Sequence, residues 1–298
     1  MTGIIRSGTT WVGRVLETCK DTIYIHEPMN PQSPWNSCFP TPVAHYHLNE
    51  NNGGNHVYLM KQLVKLEPVF HGKWRKDIAE NRRNYIQNKT KQCKQTPQVI
   101  IKDPTALFSV DWINSTLQEK VVFVLRHPLS IIKSLLKLGW AENLNFTAIK
   151  NQPMLMNYFY SDLKNYDLNL VNTDWGKFKE VEKATYTVRF FYLAICKYYE
   201  MKNDYSFVSY EDFVKNPTKK YISLIKKLYL DPSETTHKNL KNISSYNKEK
   251  KHQNTSIPIV TTINNTYKNE YGIKDSRMLF EKNFIDIQDS LRDVVCWD

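Results

Sequence analysis

Glycine is scarce in this chain, with 9 in 298 residues, and nothing in it reads as a glycine-rich linker or a low-complexity repeat. Cysteine is equally sparse. The five cysteines (Cys19, Cys38, Cys93, Cys196, Cys296) are scattered and form no C-x-x-C pair, which argues against a disulfide framework and a structural zinc site. No apolar run approaches the ~18 residues needed to span a bilayer. The longest are Val121 to Leu125 and the stretch from Ile131 to Leu138, so an integral membrane protein is not expected. A signal peptide is not visible either, because the first apolar residues run straight into Arg6-Ser7-Gly8. The expected compartment is therefore the cytoplasm.

What is present is a large apolar and aromatic content. Hydrophobic residues make up 41% and aromatics 13%, including 18 Tyr, 13 Phe and 7 Trp, which is too much for a disordered chain. The length suits one large domain with a substantial core, and no linker divides it, so a single domain over 1–298 is expected. Lys and Arg number 41 against 30 Asp and Glu, a net charge of +11. That excess admits nucleic acid, an anionic surface or a polyanionic small ligand as partner. The basic residues fall in short clusters such as Lys73-Trp74-Arg75-Lys76 and Arg82-Arg83, with no basic tail.

Three β-rich runs stand out at residues 98–102, 120–125 and 205–210. Their near-continuous hydrophobicity is that of strands buried on both faces of a parallel sheet. Helical patterns cover 10–19, 128–138, 184–202 and 217–229, the second and fourth opening on Pro128 and Pro217 at a favourable first helical position. This alternation predicts an α/β fold with a central, mostly parallel sheet flanked by helices. Residues 28–60, with Pro28, Pro31, Pro34, Pro40 and Pro42, and residues 141–183, polar and Asn-rich, fit the pattern poorly. Segments 28–96 and 141–183 are expected to cover an acceptor site.

The start of the chain, Gly3-Ile4-Ile5-Arg6-Ser7-Gly8-Thr9-Thr10-Trp11, has the makings of an anion cradle. Small residues precede a helix, so backbone N–H groups and the positive helix end can meet a phosphate, with Arg6 adding a charged fork. The plainer reading is an ordinary helix cap. It is not a Walker A loop, because Thr9 stands where that motif has Lys.

Arg6-Ser7-Gly8-Thr9-Thr10-Trp11 resembles the 5'-phosphosulfate loop of sulfotransferases that use 3'-phosphoadenosine 5'-phosphosulfate (PAPS). Leu125-Arg126-His127-Pro128 followed by Ser134 resembles the same family's second signature, implying that Arg126 and Ser134 grip the 3'-phosphate. Phe207-Val208-Ser209-Tyr210-Glu211-Asp212 is similar to the family's late strand and turn. By that resemblance Tyr210 and Trp11 would flank the adenine, and Lys102 would approach the transferred sulfonyl group. Tyr24 to Pro31, Lys102-Asp103-Pro104 and Lys274 to Arg277 look most like the bacterial and carbohydrate branches, which implies a P-loop-type three-layer fold and a glycan or glycolipid hydroxyl as acceptor.

Three features depart from the family pattern. Lys102 is followed by Asp103 rather than by the Thr-His of small-molecule sulfotransferases, so the base must come from elsewhere. The terminal Arg-Lys-Gly loop has only Lys274 and Arg277 as stand-ins, and Met1 and Thr2 leave little room for a strand ahead of the phosphate loop, as if it were trimmed. Glu27 is the favoured base, with Arg6 and Lys102 stabilising charge; the plainer reading is that Glu27 only pairs with Arg6 or Lys102, and His26 is the rival, expected on the opposite face of a strand. His127 reads as a helix cap. No metal is called for. The alternatives are a P-loop kinase using ATP and a basic adaptor that holds nucleotide or nucleic acid without turnover; on the favoured reading no nucleic acid is expected.

Overall fold

The computed structural model describes residues 1–70, 76–141, 146–161, 175–201, 204–253, 276–295 and 297. Among these the chain is a mixed α/β structure, rich in helix, with two small parallel sheets. One sheet pairs β1 (Thr22–His26) with β2 (Gln98–Lys102), and the other pairs β3 (Val121–Leu125) with β4 (Tyr205–Ser209). The first two residues join them. Met1 donates its ammonium to the Ile101 carbonyl at 2.7 Å and accepts from Asp103 N–H at 2.9 Å. Thr2 donates to Val122 O at 2.8 Å and accepts from Val124 N–H at 2.9 Å, forming a parallel bridge to Phe123.

The hydrophobicity of β3 has a direct cause: all five residues are buried because helices cover both faces. Phe123 and Leu125 join a cluster with α5 (Pro128–Lys137), α8 (Glu180–Glu200) and α12 (Ser276–Ser290). Val122 and Val124 pack with α1 (Thr9–Leu16) and α10 (Pro217–Lys227). Across the register, Phe123 stacks on Phe207 at 4.7 Å between centroids. A fully buried aromatic such as Phe123 contributes on the order of 2–3 kcal/mol, and the half-buried Phe207 less.

The helices expected from sequence near residues 10, 128, 184 and 217 are found within a few residues of those limits. Residues 28–96, of which 28–60 read as irregular from sequence, contain regular helices. After a proline-led 3₁₀ turn, Pro34–Cys38, they carry α2 (Gly54–Val64) and α3 (Lys76–Gln92), which pack on the β1–β2 sheet and on α4 (Val110–Leu117). Within 141–183 the described parts are α6 (Phe146–Lys150), α7 (Pro153–Tyr160) and a short turn, Trp175–Lys177; the remainder lies outside the described residues. β4 leads into α9 (Tyr210–Lys215), and α11 (Glu234–Gln253) follows α10. No helix among the described residues is long and apolar enough to cross a membrane.

Among the buried histidines are His45 and His127. His127 accepts from Leu129 N–H at 3.2 Å through Nδ1 and meets the Trp297 carbonyl at 3.1 Å through Nε2, capping α5 as the sequence suggests. His45 lies against Phe108 and Phe191. Burial pulls both imidazoles down to about 4. Both are therefore neutral when folded and protonated when unfolded between pH 6.5 and about 4, so the stability they confer is present above pH 6.5 and drains as pH falls toward 4. Denaturant unfolding should show the native protein losing up to ~3 kcal/mol per histidine over that interval relative to a His45→Asn/His127→Asn variant. Parallel pH curves for the two proteins would contradict this.

Candidate active site

The carboxyl ends of all four strands and the loop that follows Thr2 lie on one edge. Crevices outside such strand ends are where open α/β sheets place ligands. Because Thr2 is hydrogen-bonded beside β3 and Met1 beside β2, the loop from Gly3 to Gly8 rises between Lys102, at the end of β2, and Arg126, just past β3.

Gly8 is the hinge of this loop. It precedes α1 with φ of 96°, a conformation that favours glycine, and a Cβ there would stand 2.3 Å from the Tyr210 ring. The tyrosine is thus pressed directly on the loop. Trp11 packs edge-on against Tyr210 at 5.4 Å and against Tyr221 at 5.6 Å. The Arg126 guanidinium lies over the Tyr210 ring, 4.7 Å from its centroid.

Arg126 also binds the loop backbone, donating from Nη1 to the Arg6 carbonyl at 2.9 Å. Its own backbone is clasped by Tyr192, whose hydroxyl accepts from Arg126 N–H at 3.1 Å and donates to Arg126 O. Arg6, with φ of 70°, turns its side chain to α5 and donates from Nε to Ser134 Oγ at 2.9 Å, over the Trp140 ring at 5.6 Å. Among the described residues Arg126 Nε and Ser7 Oγ, both buried, have no hydrogen-bond partner. Buried polar atoms left in this way are costly, and they suit a site that receives an acceptor-rich ligand. Thr9 is buried under the loop while Thr10 faces solvent.

A second cluster of charged side chains is formed at the ends of β1 and β2. Lys102 is 1% exposed and its ammonium makes an ion pair with Glu27 Oε1. Asn30 donates to the other oxygen, Oε2, at 2.7 Å. Burial by itself would raise the Glu27 carboxyl, but the Lys102 charge and the two hydrogen bonds outweigh it and hold the group below its usual range. Burial lowers Lys102, and Glu27 restores only part of that loss. Beneath them Asp103 accepts from Met29 N–H at 2.6 Å and Thr105 N–H at 2.8 Å, fixing the turn after Glu27, and burial raises its carboxyl to about 6.

The residues singled out from sequence therefore fall into two adjoining groups. Arg6, Ser7, Gly8, Thr9, Thr10, Trp11, Arg126, Ser134 and Tyr210 gather at the loop, and Glu27 with Lys102 at the ends of β1 and β2. One expectation is corrected. His26 is not turned away from Glu27: its Nε2 lies 3.6 Å from Glu27 Oε1. The reason is that Glu27 has φ of 55°, so it leaves the strand and the two-residue alternation of faces ends before it. Sequence reasoning assigned no role to Asn30, Trp140 or Tyr192. Asn30 sits inside the quoted Tyr24–Pro31 run, whereas Trp140 and Tyr192 carry no local motif. Lys274 and the side chain of Arg277 lie outside the described residues. Among the described residues no group of three or more His, Cys, Asp or Glu is placed to hold a metal ion.

The contact between Gly8 and Tyr210 gives a sharp expectation. Gly8→Ala, combining positive φ with a clash against an aromatic ring, should cost roughly 2–3 kcal/mol in unfolding free energy and displace Tyr210, whereas Gly54→Ala, which has open space around its Cβ, should be near neutral or stabilising. Equal effects in denaturant titrations would refute the packing described. Comparison of the chain with protein-family models, with curated proteins and with solved structures found no match.

Proposed function

We propose that this chain is a PAPS-dependent sulfotransferase of P-loop-type, three-layer architecture that transfers a sulfonyl group to a hydroxyl of a carbohydrate or glycolipid. The observation that carries the reading is the convergence of Arg6, Arg126 and Ser134 with two aromatic rings around Gly8, where Arg126 Nε is buried without a partner among the described residues. Helices on both faces of the β3–β4 sheet, and Met1 and Thr2 bridging to β2, support the architecture.

The donor fits these residues by its chemistry. Arg126 and Ser134 would hold the 3'-phosphate, the N–H groups of residues 7 to 10 with Arg6 the 5'-phosphosulfate, and Trp11 with Tyr210 the adenine. When bound, the donor supplies an activated sulfonyl group. Arg6 and Lys102 would neutralise the charge that grows on the transferred group and on the departing oxygen. Glu27 is ionised at neutral pH and would accept the acceptor hydroxyl proton. Its pairing with Lys102 adds a timing element. Movement of the Lys102 ammonium toward the developing charge would remove the cation that depresses the carboxyl, making Glu27 a stronger base as the proton leaves. His26, 3.6 Å away and kept below its usual range by burial and by Lys102, would face the same carboxylate as a neutral imidazole.

Calorimetry should show 3'-phosphoadenosine 5'-phosphate binding at least about tenfold more tightly than ATP, with the preference lost in Arg126→Gln. ATP binding equally well would overturn the assignment in favour of a kinase. Glu27→Gln should keep nucleotide affinity and lose about 10²–10⁴-fold in transfer of labelled sulfate to a glycan hydroxyl. Near-native turnover would remove Glu27 from the role of base.

A further inference from the structure

Arg82 stands beside the Glu27 cluster and takes no part in the chemistry above. It lies on α3, and its guanidinium sits over the Trp35 ring, 5.4 Å from the centroid. Two chains of contacts fix that place at the carboxyl end of β1. Tyr85, one turn further along the same face of α3, donates its hydroxyl to the Tyr24 carbonyl at 3.0 Å and meets the Trp35 ring edge-on at 6.1 Å. Trp35 N–H bonds Ser33 Oγ at 3.2 Å, and Ser33 Oγ donates to the His26 carbonyl at 2.9 Å. The Arg82 charge is felt at the His26 imidazole, which burial first and Lys102 second hold below its ordinary range.

No anion answers that charge. The residues three and four positions away on α3 are Ile78, Ala79, Tyr85 and Ile86, so no carboxylate of its own helix faces Arg82. The carboxylates that Tyr85 and His26 touch are engaged elsewhere: Glu17 pairs with Arg14 at 2.6 Å, and Glu27 with Lys102. Among the described residues Arg82 Nε is buried and has no hydrogen-bond partner, while the residue as a whole is only half-buried and so within reach of a ligand. An aromatic face orients a guanidinium without neutralising it, and a buried donor left open costs free energy until an acceptor arrives. Nε and a terminal nitrogen together form the planar fork that matches the two oxygens of a carboxylate.

We propose that Arg82 is a specificity-determining residue that receives a carboxylate carried by the acceptor, so that the sugar chain presented to Glu27 is an acidic one. The identity of the acceptor as a sugar chain rests on the sulfotransferase reading; the carboxylate site itself does not. Lys102 and Glu27 offset one another, which leaves Arg82 as the uncompensated cation on this side of the loop. A neutral sugar would leave its buried Nε open, whereas a carboxylate closes it with a charge-assisted bond.

The experiment uses the full chain, saturated with 3'-phosphoadenosine 5'-phosphate and free of it. The probes are a tetrasaccharide of alternating hexuronate and N-acetylhexosamine and the same tetrasaccharide with its carboxylates reduced to alcohols. Calorimetry should show the acidic form binding about tenfold or more tightly than the reduced form. Arg82→Gln should bring the acidic form down to the affinity of the reduced one, leaving the reduced form and the nucleotide unaffected. Arg83→Gln, which removes an exposed charge from the neighbouring position, should leave the preference intact. Equal binding of the two tetrasaccharides would overturn the proposal, as would a preference that survives Arg82→Gln or that falls equally with Arg83→Gln. The two readings fail separately. Transfer to neutral sugars with no carboxylate preference would remove the Arg82 site and keep the sulfotransferase, whereas Arg82-dependent carboxylate binding in a chain that does not prefer the 3'-phosphate nucleotide over ATP would keep the site and remove the sulfotransferase.

Discussion

Four backbone hydrogen bonds made by Met1 and Thr2 set the geometry on which everything else depends. They hold β2 and β3 at the spacing of strands separated by one more strand. Without them the β1–β2 pair, carrying Glu27 and Lys102, and the β3–β4 pair, carrying Arg126 and Tyr210, would have only side-chain packing to fix their relation. With them the loop from Gly3 to Gly8 is obliged to emerge between the two groups. The loop then needs two unusual backbone conformations, at Arg6 and Gly8, to turn from that line into α1 while leaving room for Tyr210.

Electrostatics gives the site its second constraint. A lysine that is 1% exposed cannot remain charged without compensation, and the cost of burying an unpaired charge reaches several kcal/mol. Glu27 supplies that compensation, and Asn30 fixes the carboxylate. On the other side of the loop, Arg6 and Arg126 are oriented by neutral partners, Ser134 Oγ and the Arg6 carbonyl, rather than by carboxylates. Among the described residues no carboxylate pairs with either guanidinium, so this part of the loop region is positive in excess. That is the electrostatic condition for taking a polyanionic ligand, and it gives a local meaning to part of the +11 net charge.

What could be read from sequence follows from how each residue is determined. β3 was legible because five buried apolar residues in a row can only be a strand covered on both faces or a helix segment, and the flanking turns settle the choice. α5 was legible through Pro128 and its apolar spacing. α3 was not, because Lys76–Gln92 is mostly polar and contributes to the core chiefly the adjacent pair Tyr85 and Ile86, so its periodicity is weak. The local motifs at 6–11 and 126–134 were readable because they are contiguous. The meeting of His26 with Glu27 was not, since it depends on one positive φ, and neither were the supports from Tyr192 and Trp140, which lie far along the chain from the residues they touch.

A crystal structure of the chain with 3'-phosphoadenosine 5'-phosphate is the most direct test of the central claim that this edge forms one nucleotide site. The account predicts the 3'-phosphate within about 3 Å of the Arg126 guanidinium and Ser134 Oγ, the 5'-phosphate on the N–H groups of residues 7 to 10, and the base against Trp11 or Tyr210. A nucleotide bound elsewhere, or with its 3'-phosphate turned to solvent away from Arg126, would contradict it.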